Sequence, residues 1–399
     1  MNNRHFDHIT RKDIQRFISD HEKEDETLLV LKHKEILGLA AAEIAQQIAG
    51  RRKAKTKLPL YYNTKNIIYP PKLNLEQSSS EKTAQFKSGI QSGKLAVDLT
   101  GGFGIDSYFL SKNFKEVIQI EPNEALLQIA KHNHCILSTN NIEHLCTTAE
   151  EFLNTNNDHF DLLYIDPSRR NNANRKVFKF SECSPNVVSL LTLLIKRSKS
   201  VLIKASPLID IKQGLSELGH FSKVVIVGFD NECKEVLFLI DKTKAEPIVE
   251  VVDLSERNEK SALFSFSLSE ERKAEVSYDE PSTFIYEPTA MILKAGAFKL
   301  TAKRFNLKKL APNTHLYTTD KVIPNFPGRV FRIESLLKSD SKSVHAVLKE
   351  GQANIISRNY PLSPSQIKKK LRIKDGGDKF IIGFSGVNKK YLVLAVRVK

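Results

Sequence analysis

An apolar run that leads into a glycine-rich turn, residues 95–104, constrains the fold of this chain more than any other feature. The apolar part is typical of a buried strand, and a helical pattern follows the turn. Glycines at such a turn let the backbone approach a nucleotide-like ligand closely. We expect Gly102 and Gly104 to leave room for that ligand and Asp98 to fix a polar group at the strand end. The predicted ligand-binding set from this segment is Asp98, Thr100, Gly102, Gly104 and Asp106.

Strand and helix patterns alternate from residue 94 onward, which predicts a parallel sheet with helices on both faces. The expected strands are residues 95–99, 116–120, 162–165 and 200–205, and the expected helices are 124–135 and 186–196. The next two apolar runs, 224–227 and 236–240, are too close together for a helical crossover. We therefore predict an antiparallel hairpin with its turn near Asn231. A dehydrogenase sheet continues in parallel, whereas a class I methyltransferase sheet ends with a reversed strand, so the hairpin favours the second class.

Two later segments extend the predicted ligand site. Glu121 ends the second strand, about 20 residues after the glycine turn, where a carboxylate can accept hydrogen bonds from both ribose hydroxyls. Its alternative role is that of a helix-cap neighbour. After the third strand, Thr148 stands where many methyltransferases have an acidic residue, so the adenine contact passes to Ala149 or Glu150.

The segment Asp166-Pro167-Ser168-Arg169-Arg170 follows the fourth strand and is the candidate active-site loop. The Asp166 carboxylate and the Pro167 carbonyl can both accept hydrogen bonds from an exocyclic amine and aim its lone pair at a sulfonium methyl group. Arg169 and Arg170 are candidates for binding phosphates of a substrate backbone. The alternative is that they form salt bridges at a helix end or between domains. Lys204, after the fifth strand, either lines the substrate cleft or is structural.

The composition, 41% hydrophobic and 27% charged, is that of a globular protein. No apolar run is long enough for a transmembrane helix, and the N-terminus lacks the apolar core of a signal peptide. The four cysteines are scattered, which argues against a disulfide framework and a zinc site. We expect a cytoplasmic protein with no metal and no membrane contact. Cys183 is either a small core residue or, less often, the thiolate of a pyrimidine C5 methyltransferase.

Charge is distributed unevenly along the chain. Residues 281–399 hold 23 lysines and arginines against 7 aspartates and glutamates, although the whole chain has a net charge of only +15. The first 280 residues are therefore almost neutral. Such segregation predicts a polyanion-binding module attached to a neutral enzyme. The alternative is a solvated surface that is simply rich in lysine.

The motifs together resemble the bacterial class I S-adenosylmethionine-dependent methyltransferases that carry a C-terminal THUMP-like domain. The segments that carry the resemblance are residues 98–106, 166–170, 204–210, 358–362 and 376–378. It implies an α/β fold, a Rossmann-like seven-stranded methyltransferase sheet with a helical N-terminal region and a small α+β C-terminal module. The implied domains are 1–92 (helical region), 93–245 (methyltransferase), 246–315 (connecting or ferredoxin-like segment) and 316–399 (THUMP-like, RNA-binding).

The resemblance implies S-adenosylmethionine as cofactor and RNA, either tRNA or rRNA, as partner. One departure bears on the target. Ser168 and Arg169 replace the second proline and the aromatic residue that related amino-methyltransferases use to stack the base. Stacking then falls to Phe178 or Phe180, or the target is not an exocyclic amine. Two other classes stay open: a non-catalytic RNA-binding protein on a methyltransferase scaffold, and a DNA or small-molecule methyltransferase.

The segments before and after the predicted sheet contain further predicted elements. Periodicity predicts a helix over residues 35–48 with the basic run 51–55 at its end, and Ser80 is a candidate cap for a later helix. The N-terminal region has three possible roles: substrate binding, packing on the catalytic domain, or dimerisation. Near the C-terminus, residues 344–348 and 391–396 resemble strands, and Ser363 begins a helix.

Overall fold

The computed structural model describes residues 3–168, 179–219, 221–241, 246–255 and 263–398. The chain forms two compact units. The first comprises Met1–Val224 and Glu235–Ala245, and the second comprises Val225–Lys234 and Glu246–Lys399. Among the described residues, no helix is both long enough and apolar enough to cross a membrane.

The first unit begins with a mainly helical region. Its helices are α1 (Asn3–Ile9), α2 (Lys12–Asp20), α3 (Glu26–Lys32), α4 (Ala41–Lys57), α5 (Pro59–Asn63), α6 (Lys72–Gln77) and α7 (Glu81–Ser88). The helix predicted over 35–48 begins six residues late, because β1 (Glu35–Ile36) and β2 (Leu39–Ala40) form a hairpin first. Its turn places Leu37 and Gly38 at φ values of 52° and 85°, a left-handed conformation that ends any helical run. Ser80 caps α7 as predicted: its Oγ accepts a hydrogen bond from the Thr83 amide.

This helical region packs on the sheet domain rather than standing apart from it. Buried side chains of its helices, such as Ile44 and Tyr61, share one apolar cluster with Phe103 and Ile129 of the sheet domain. The Asn133 side chain joins the two parts further by bonding both the amide and the carbonyl of Ile68. The residues before the sheet are therefore an integral part of the first unit.

Strands and helices then alternate as predicted. The strands are β3 (Gly93–Asp98), β4 (Phe114–Ile120), β5 (Ile142–Leu145), β6 (Phe160–Ile165), β7 (Ser198–Ala205), β8 (Lys223–Phe229) and β9 (Glu232–Asp241). The helices are α8 (Ile105–Leu110), α9 (Glu124–Ile136), α10 (Ala149–Thr155), α11 (Val187–Arg197) and α12 (Ile211–Leu218), with a short 3₁₀ turn at Phe180–Glu182. Buried apolar runs form the strands, and Asn123, Thr148, Asn186 and Asp210 cap the N-termini of α9, α10, α11 and α12.

Within a nine-stranded sheet, these seven strands lie in the order β8-β9-β7-β6-β3-β4-β5. β3, β4, β5, β6 and β7 pair in parallel, whereas β9 runs antiparallel to β7. The predicted hairpin of β8 and β9 is confirmed, and both of its turn residues, Asp230 and Asn231, have positive φ. That conformation is the one a two-residue hairpin loop requires. The order, with a reversed strand inserted next to the edge, is the class I methyltransferase topology.

The second unit has the mixed α+β character that the sequence predicts. Its further strands are β10 (Ile248–Asp253), β11 (Phe264–Ser267), β12 (Phe284–Pro288), β13 (Lys308–Ala311), β14 (Thr314–Thr319), β15 (Gly328–Leu336), β16 (Asn354–Arg358), β17 (Lys379–Ser385) and β18 (Lys390–Arg397). Its helices are α13 (Leu268–Lys273), α14 (Ala290–Ala295), α15 (Phe298–Arg304), α16 (Ser341–Val347) and α17 (Pro364–Leu371). Seven strands form one sheet in the order β13-β14-β12-β15-β18-β17-β16.

One strand prediction in this unit is wrong. Residues 344–348 lie in and just after α16 instead, because Asp340 caps that helix and the buried Val344 and Leu348 are four positions apart, the spacing of a helix face. The helix start at Ser363 and the strand over 391–396 are confirmed by α17 and β18.

Candidate active site

The glycine turn after β3 is held by hydrogen bonds from its own residues. Asp98 is 1% exposed, and its carboxylate accepts hydrogen bonds from the Ser107 hydroxyl (2.6 Å) and the Thr100 amide (3.1 Å). The Thr100 hydroxyl accepts a hydrogen bond from the Asp166 amide (2.7 Å). Asp98 therefore fixes the turn to α8, and Thr100 fixes it to the loop after β6.

The two predicted glycines have different roles. Gly102 has φ of 53°, and a Cβ there would meet only the Thr100 carbonyl at 3.9 Å, so open space lies in front of it. A Cβ at Gly104 would instead lie 2.8 Å from the His134 ring. Gly104 therefore makes room for helix packing, while Gly102 leaves room for a ligand.

Glu121 lies beside this open space. Its two carboxylate oxygens accept hydrogen bonds from the amides of Gly102 (2.9 Å) and Asn123 (2.8 Å). Partial burial raises the pKa of Glu121, and these two amide hydrogen bonds oppose that shift. A carboxylate oxygen has the capacity to accept more than one hydrogen bond, so the side chain retains capacity for hydroxyl donors.

The third strand ends at a helix N-terminus. Thr148 and Glu151 form a reciprocal capping box, which explains why a threonine stands at this position. Ala149 is buried at the first turn of α10, and Glu150 is exposed. The Ala149 backbone and the Glu150 side chain are therefore the groups available to contact a ligand at this position.

Asp166 follows β6 and carries the candidate chemistry. Its side chain is 31% exposed, and its Oδ2 accepts a hydrogen bond from Lys204 Nζ at 2.6 Å. Within the described part of the chain, Oδ1 has no hydrogen-bond partner. The following residue, Pro167, is buried. The backbones of Ser168 and Ser184 then exchange two hydrogen bonds, which anchor the start of the loop.

A buried ionic cluster lies behind Asp166. Lys204 (β7) and Lys87 (α7) share the Ser79 hydroxyl, at 3.1 and 2.7 Å from their Nζ atoms. Lys87 Nζ also lies 2.7 Å from Glu235 Oε2 and 3.1 Å from Asp106 Oδ1. Asp106 Oδ2 accepts hydrogen bonds from Ser79 (2.7 Å) and Tyr164 (2.9 Å). We call Ser79, Lys87, Asp106, Asp166, Lys204 and Glu235 the ionic cluster.

Burial and charge act against each other in this cluster. Burial raises the pKa of Asp166, and Lys204 opposes the shift. Burial would lower the pKa of Lys204, but the surrounding carboxylates outweigh it and raise that pKa above its ordinary value. Asp98, buried and close to Asp106, has a pKa raised to about 7. Two ammonium groups thus face three carboxylates of the cluster, which makes the site suitable for a cationic ligand.

Several residues predicted for the site either do not line it or fall outside the described residues. Arg169, Arg170 and Phe178 are outside the described residues. Phe180 is 1% exposed and packs edge-on against Phe238, so it is a core residue and its ring is not available to stack a base. Lys204, predicted to line the substrate cleft or to be structural, is paired with Asp166 at 2.6 Å and lies 4.0 Å from Glu235.

Sequence reasoning missed Ser79, Lys87 and Glu235. Ser79 lies just before α7, and Lys87 lies in its last turn. The predicted cap at Ser80 was the only sequence signal in this segment. Lys87 is 2% exposed, although a lysine in a polar helix is normally on the surface. Its partner Glu235 is 148 positions away in the chain, and no short-range pattern connects them.

The strand order and the glycine turn beside an acidic loop define a class I methyltransferase. Two family models match the second unit: a ferredoxin-like domain over residues 284–327 and a THUMP-like domain over residues 328–397. A Porphyromonas gingivalis W83 protein assigned as a methyltransferase aligns over 100% of both chains, with 30% sequence identity and a TM-score of 0.86. The chain belongs to the same family, the bacterial class I S-adenosylmethionine-dependent methyltransferases with a C-terminal THUMP-like domain.

Other similarities are weaker. An rRNA methylase from Streptococcus thermophilus shares 15% identity over 41% of this chain and 95% of its own, with a TM-score of 0.30. A Streptococcus mutans protein assigned as a methyltransferase and solved with SAH shares 16% identity over 41% of this chain and 97% of its own, with a TM-score of 0.31. These values are too low to add to the assignment. No curated protein matches the sequence.

Proposed function

We propose that this protein transfers a methyl group from S-adenosylmethionine to a nitrogen of a base in structured RNA, such as tRNA or rRNA. The observation that carries the proposal is the position of Asp166. This residue directly follows a central parallel strand, and its amide donates a hydrogen bond to the hydroxyl of Thr100 in the glycine turn. One of its carboxylate oxygens faces Lys204, and the other has no hydrogen-bond partner within the described residues. An acceptor therefore stands beside the expected cofactor.

The residues around Gly102 fit the cofactor. The open space in front of Gly102 admits a ligand against the backbone, and Glu121 beside it has acceptor capacity for ribose hydroxyls. Ala149 and Glu150 are the candidates for the adenine end. The ionic cluster, with more carboxylates than ammonium groups, suits the positive charge of the cofactor. The remaining predicted residues of this segment stabilise the glycine turn and its surroundings instead of contacting the cofactor. They are Asp98, Thr100, Gly104 and Asp106.

Asp166 and Pro167 would orient the base. When bound, S-adenosylmethionine supplies an electrophilic methyl group. A carboxylate and a carbonyl that accept the hydrogens of an amine direct its lone pair outward, so the nucleophile is aligned before the reaction begins. As the new bond forms, the nitrogen must lose a proton, and the Asp166 carboxylate is positioned to accept it.

The charge of the second unit supports RNA as the substrate. The THUMP-like segment includes α17, whose last turn carries Lys368, Lys369 and Lys370. Cationic side chains on an exposed helix bind phosphates without reading sequence, and they position a substrate for base contacts made elsewhere. Arg169 and Arg170 of the active-site loop are further candidates for phosphate contacts.

Calorimetric titration with S-adenosylmethionine tests the cofactor site first. We expect the intact protein to bind and Glu121→Gln to bind at least about tenfold more weakly, since each hydrogen bond to a charged group contributes about 1.5–3 kcal/mol. Glu124→Gln is the matched control, because Glu124 is exposed on the next helix and should leave affinity unchanged.

Transfer is then measured with a labelled methyl group and either total RNA or duplex DNA. We expect label in RNA and a loss of about 100-fold or more in Asp166→Asn, the usual contribution of a positioned acceptor. Cofactor binding with no transfer to any nucleic acid would indicate the scaffold alternative. Label in DNA alone would show that the substrate is DNA and not RNA.

A further inference from the structure

The ionic cluster contains groups that the proposed chemistry does not use. Lys87 and Ser79 come from the segment before the methyltransferase sheet, yet they meet Lys204 of β7 next to Asp166. The side chains of Lys87 and Glu235, which form a salt bridge, are 3% and 7% exposed. Taking such charges out of water is unfavourable, so their retention calls for a specific explanation.

Most of the hydrogen-bonding capacity of the cluster is used, although Asp106 Oδ1 forms an ion pair with Lys87 and no hydrogen bond among the described residues. The Ser79 hydroxyl accepts from both ammonium groups and donates to Asp106, which uses its full capacity. Lys87 has three donors and three close partners: Ser79, Glu235 and Asp106. With each of these groups committed, Lys204 has little freedom to move away from Asp166.

We propose that Lys204 is a positioning residue, held by the Ser79 hydroxyl that Lys87 also bonds. It keeps Asp166 a carboxylate and leaves the oxygen that has no partner among the described residues available to an amine hydrogen. This inference rests on the proposed function and adds to it. A carboxylate accepts hydrogen bonds only, whereas a carboxylic acid also donates. The arrangement therefore selects a target group that presents N–H donors, an exocyclic amine, over a carbonyl oxygen or an unprotonated ring nitrogen.

The same arrangement gives the helical N-terminal region a role in the reaction. Ser79 lies just before α7, which is capped by Ser80, and Lys87 lies in its last turn. Just before this helix, Lys57 Nζ donates to the carbonyls of Leu75 and Glu76, both at 2.8 Å, and so ties the preceding segment to α4. The position of Ser79 thus depends on helices outside the methyltransferase sheet.

The test is a titration of Asp166 itself, which requires neither cofactor nor substrate. Full-length protein with aspartate labelled at the side-chain carboxyl carbon is titrated by NMR, and Asp166→Asn identifies the signal. We expect the pKa of Asp166 to be about 1–3 units higher in Lys204→Met than in the unmodified protein, the usual effect of losing an adjacent opposite charge. Lys204→Arg should restore most of the original value.

Ser79→Ala provides a second, milder variant that keeps both lysines. It should raise the pKa of Asp166 by less than Lys204→Met does, and it carries the test alone if Lys204→Met does not fold. An unchanged Asp166 titration in both variants would overturn the inference, even if the enzyme methylates RNA normally. A failure of RNA methylation with the expected titration shifts would instead reject the proposed function and leave the coupling of Lys204 to Asp166 in place.

Activity against pH separates positioning from a purely structural role. If the protein is active, the acid limb of its kcat/KM profile should move upward by the same amount as the titration in Ser79→Ala. A variant that merely loses folded protein would lower the rate equally at all pH values. A uniform loss would therefore contradict the positioning role.

Discussion

Lysine has opposite surroundings in the two units. Lys87 and Lys204 of the first unit are 2% and 9% exposed and lie among carboxylates and a serine hydroxyl. Lys369 and Lys370 of the second unit are exposed on the last turn of α17. Lysine count alone therefore says little about what a segment does.

The difference shows what each environment can support. Buried ammonium groups are stable only with fixed partners, so they hold other groups in a defined geometry. Exposed ammonium groups form weak and adaptable pairs, which suits a polyanion whose shape varies. The first unit can thus hold the more highly organised charges, while the second unit, which contains the basic residues 281–399, supplies long-range attraction.

The largest expected effect comes from removing a buried lysine. Lys87→Ala leaves Glu235 and Asp106 without their closest cation, so we expect the free energy of unfolding to fall by about 3–5 kcal/mol. Lys370→Ala on the surface should change it by less than about 0.5 kcal/mol. Urea denaturation followed by circular dichroism measures both. Equal effects of the two variants would mean that burial of Lys87 among carboxylates does not set it apart from the exposed Lys370.

A second prediction concerns the buried acid of the glycine turn. Asp98 has a pKa of about 7 in the folded protein against about 3.8 when unfolded, so the unfolded chain ionises first as pH rises. Stability from this residue is therefore lost between about pH 4 and pH 7. Asp98→Asn removes that dependence and keeps the hydrogen bonds to Thr100 and Ser107 possible. We expect the variant to be about 4 kcal/mol more stable than the unmodified protein at pH 8 and equal to it near pH 4, since each unit of pKa difference corresponds to about 1.4 kcal/mol.

Thermal unfolding across this pH range provides the measurement. A gap that widens from pH 4 to pH 7 and is then constant would agree with the assignment. A constant gap at every pH would mean that packing, rather than ionisation of Asp98, separates the two proteins.

Much of the sheet could be predicted from sequence because most of its strands are short, buried apolar runs. The hairpin at Asn231 was predictable for a similar reason, since the short spacing of two apolar runs excludes a crossover. The predictions failed where local patterns have two solutions. Residues 35–40 fit a helical period, but the Leu37–Gly38 turn makes them a hairpin.

The candidate site was predictable only where its residues follow strands. Asp98, Glu121 and Asp166 each lie at or just beyond the C-terminal end of a parallel strand, a position where active-site groups gather. Ser79 and Lys87 lie before and within a helix that precedes the sheet, and Glu235 belongs to the reversed strand. Their meeting depends on tertiary packing, which no spacing in the sequence encodes.

The exposed lysines give a smaller effect on binding. Lys369→Gln with Lys370→Gln should weaken binding to structured RNA about tenfold at 0.1 M salt, or about 1.4 kcal/mol. Because each lost phosphate contact lowers the salt dependence by about 0.9, the slope of log K against log salt should fall by about 2. Lys12→Gln with Lys32→Gln, two exposed lysines of the first unit, is the matched control. If the control weakens binding equally, the RNA surface is not specific to α17.

The smallest expected effect compares two glycines that share a backbone conformation. Gly102 and Gly38 both have positive φ, and an alanine Cβ at either would meet no side chain within 4 Å. Alanine should therefore lower stability by about 1 kcal/mol at both positions, from backbone strain alone. S-adenosylmethionine affinity should fall about fivefold only in Gly102→Ala, because its Cβ enters the space proposed for the cofactor. Calorimetry on the two variants isolates that contact from the strain. If both bind the cofactor like the unmodified protein, the cofactor does not lie against Gly102, and Glu121 loses its proposed role along with it.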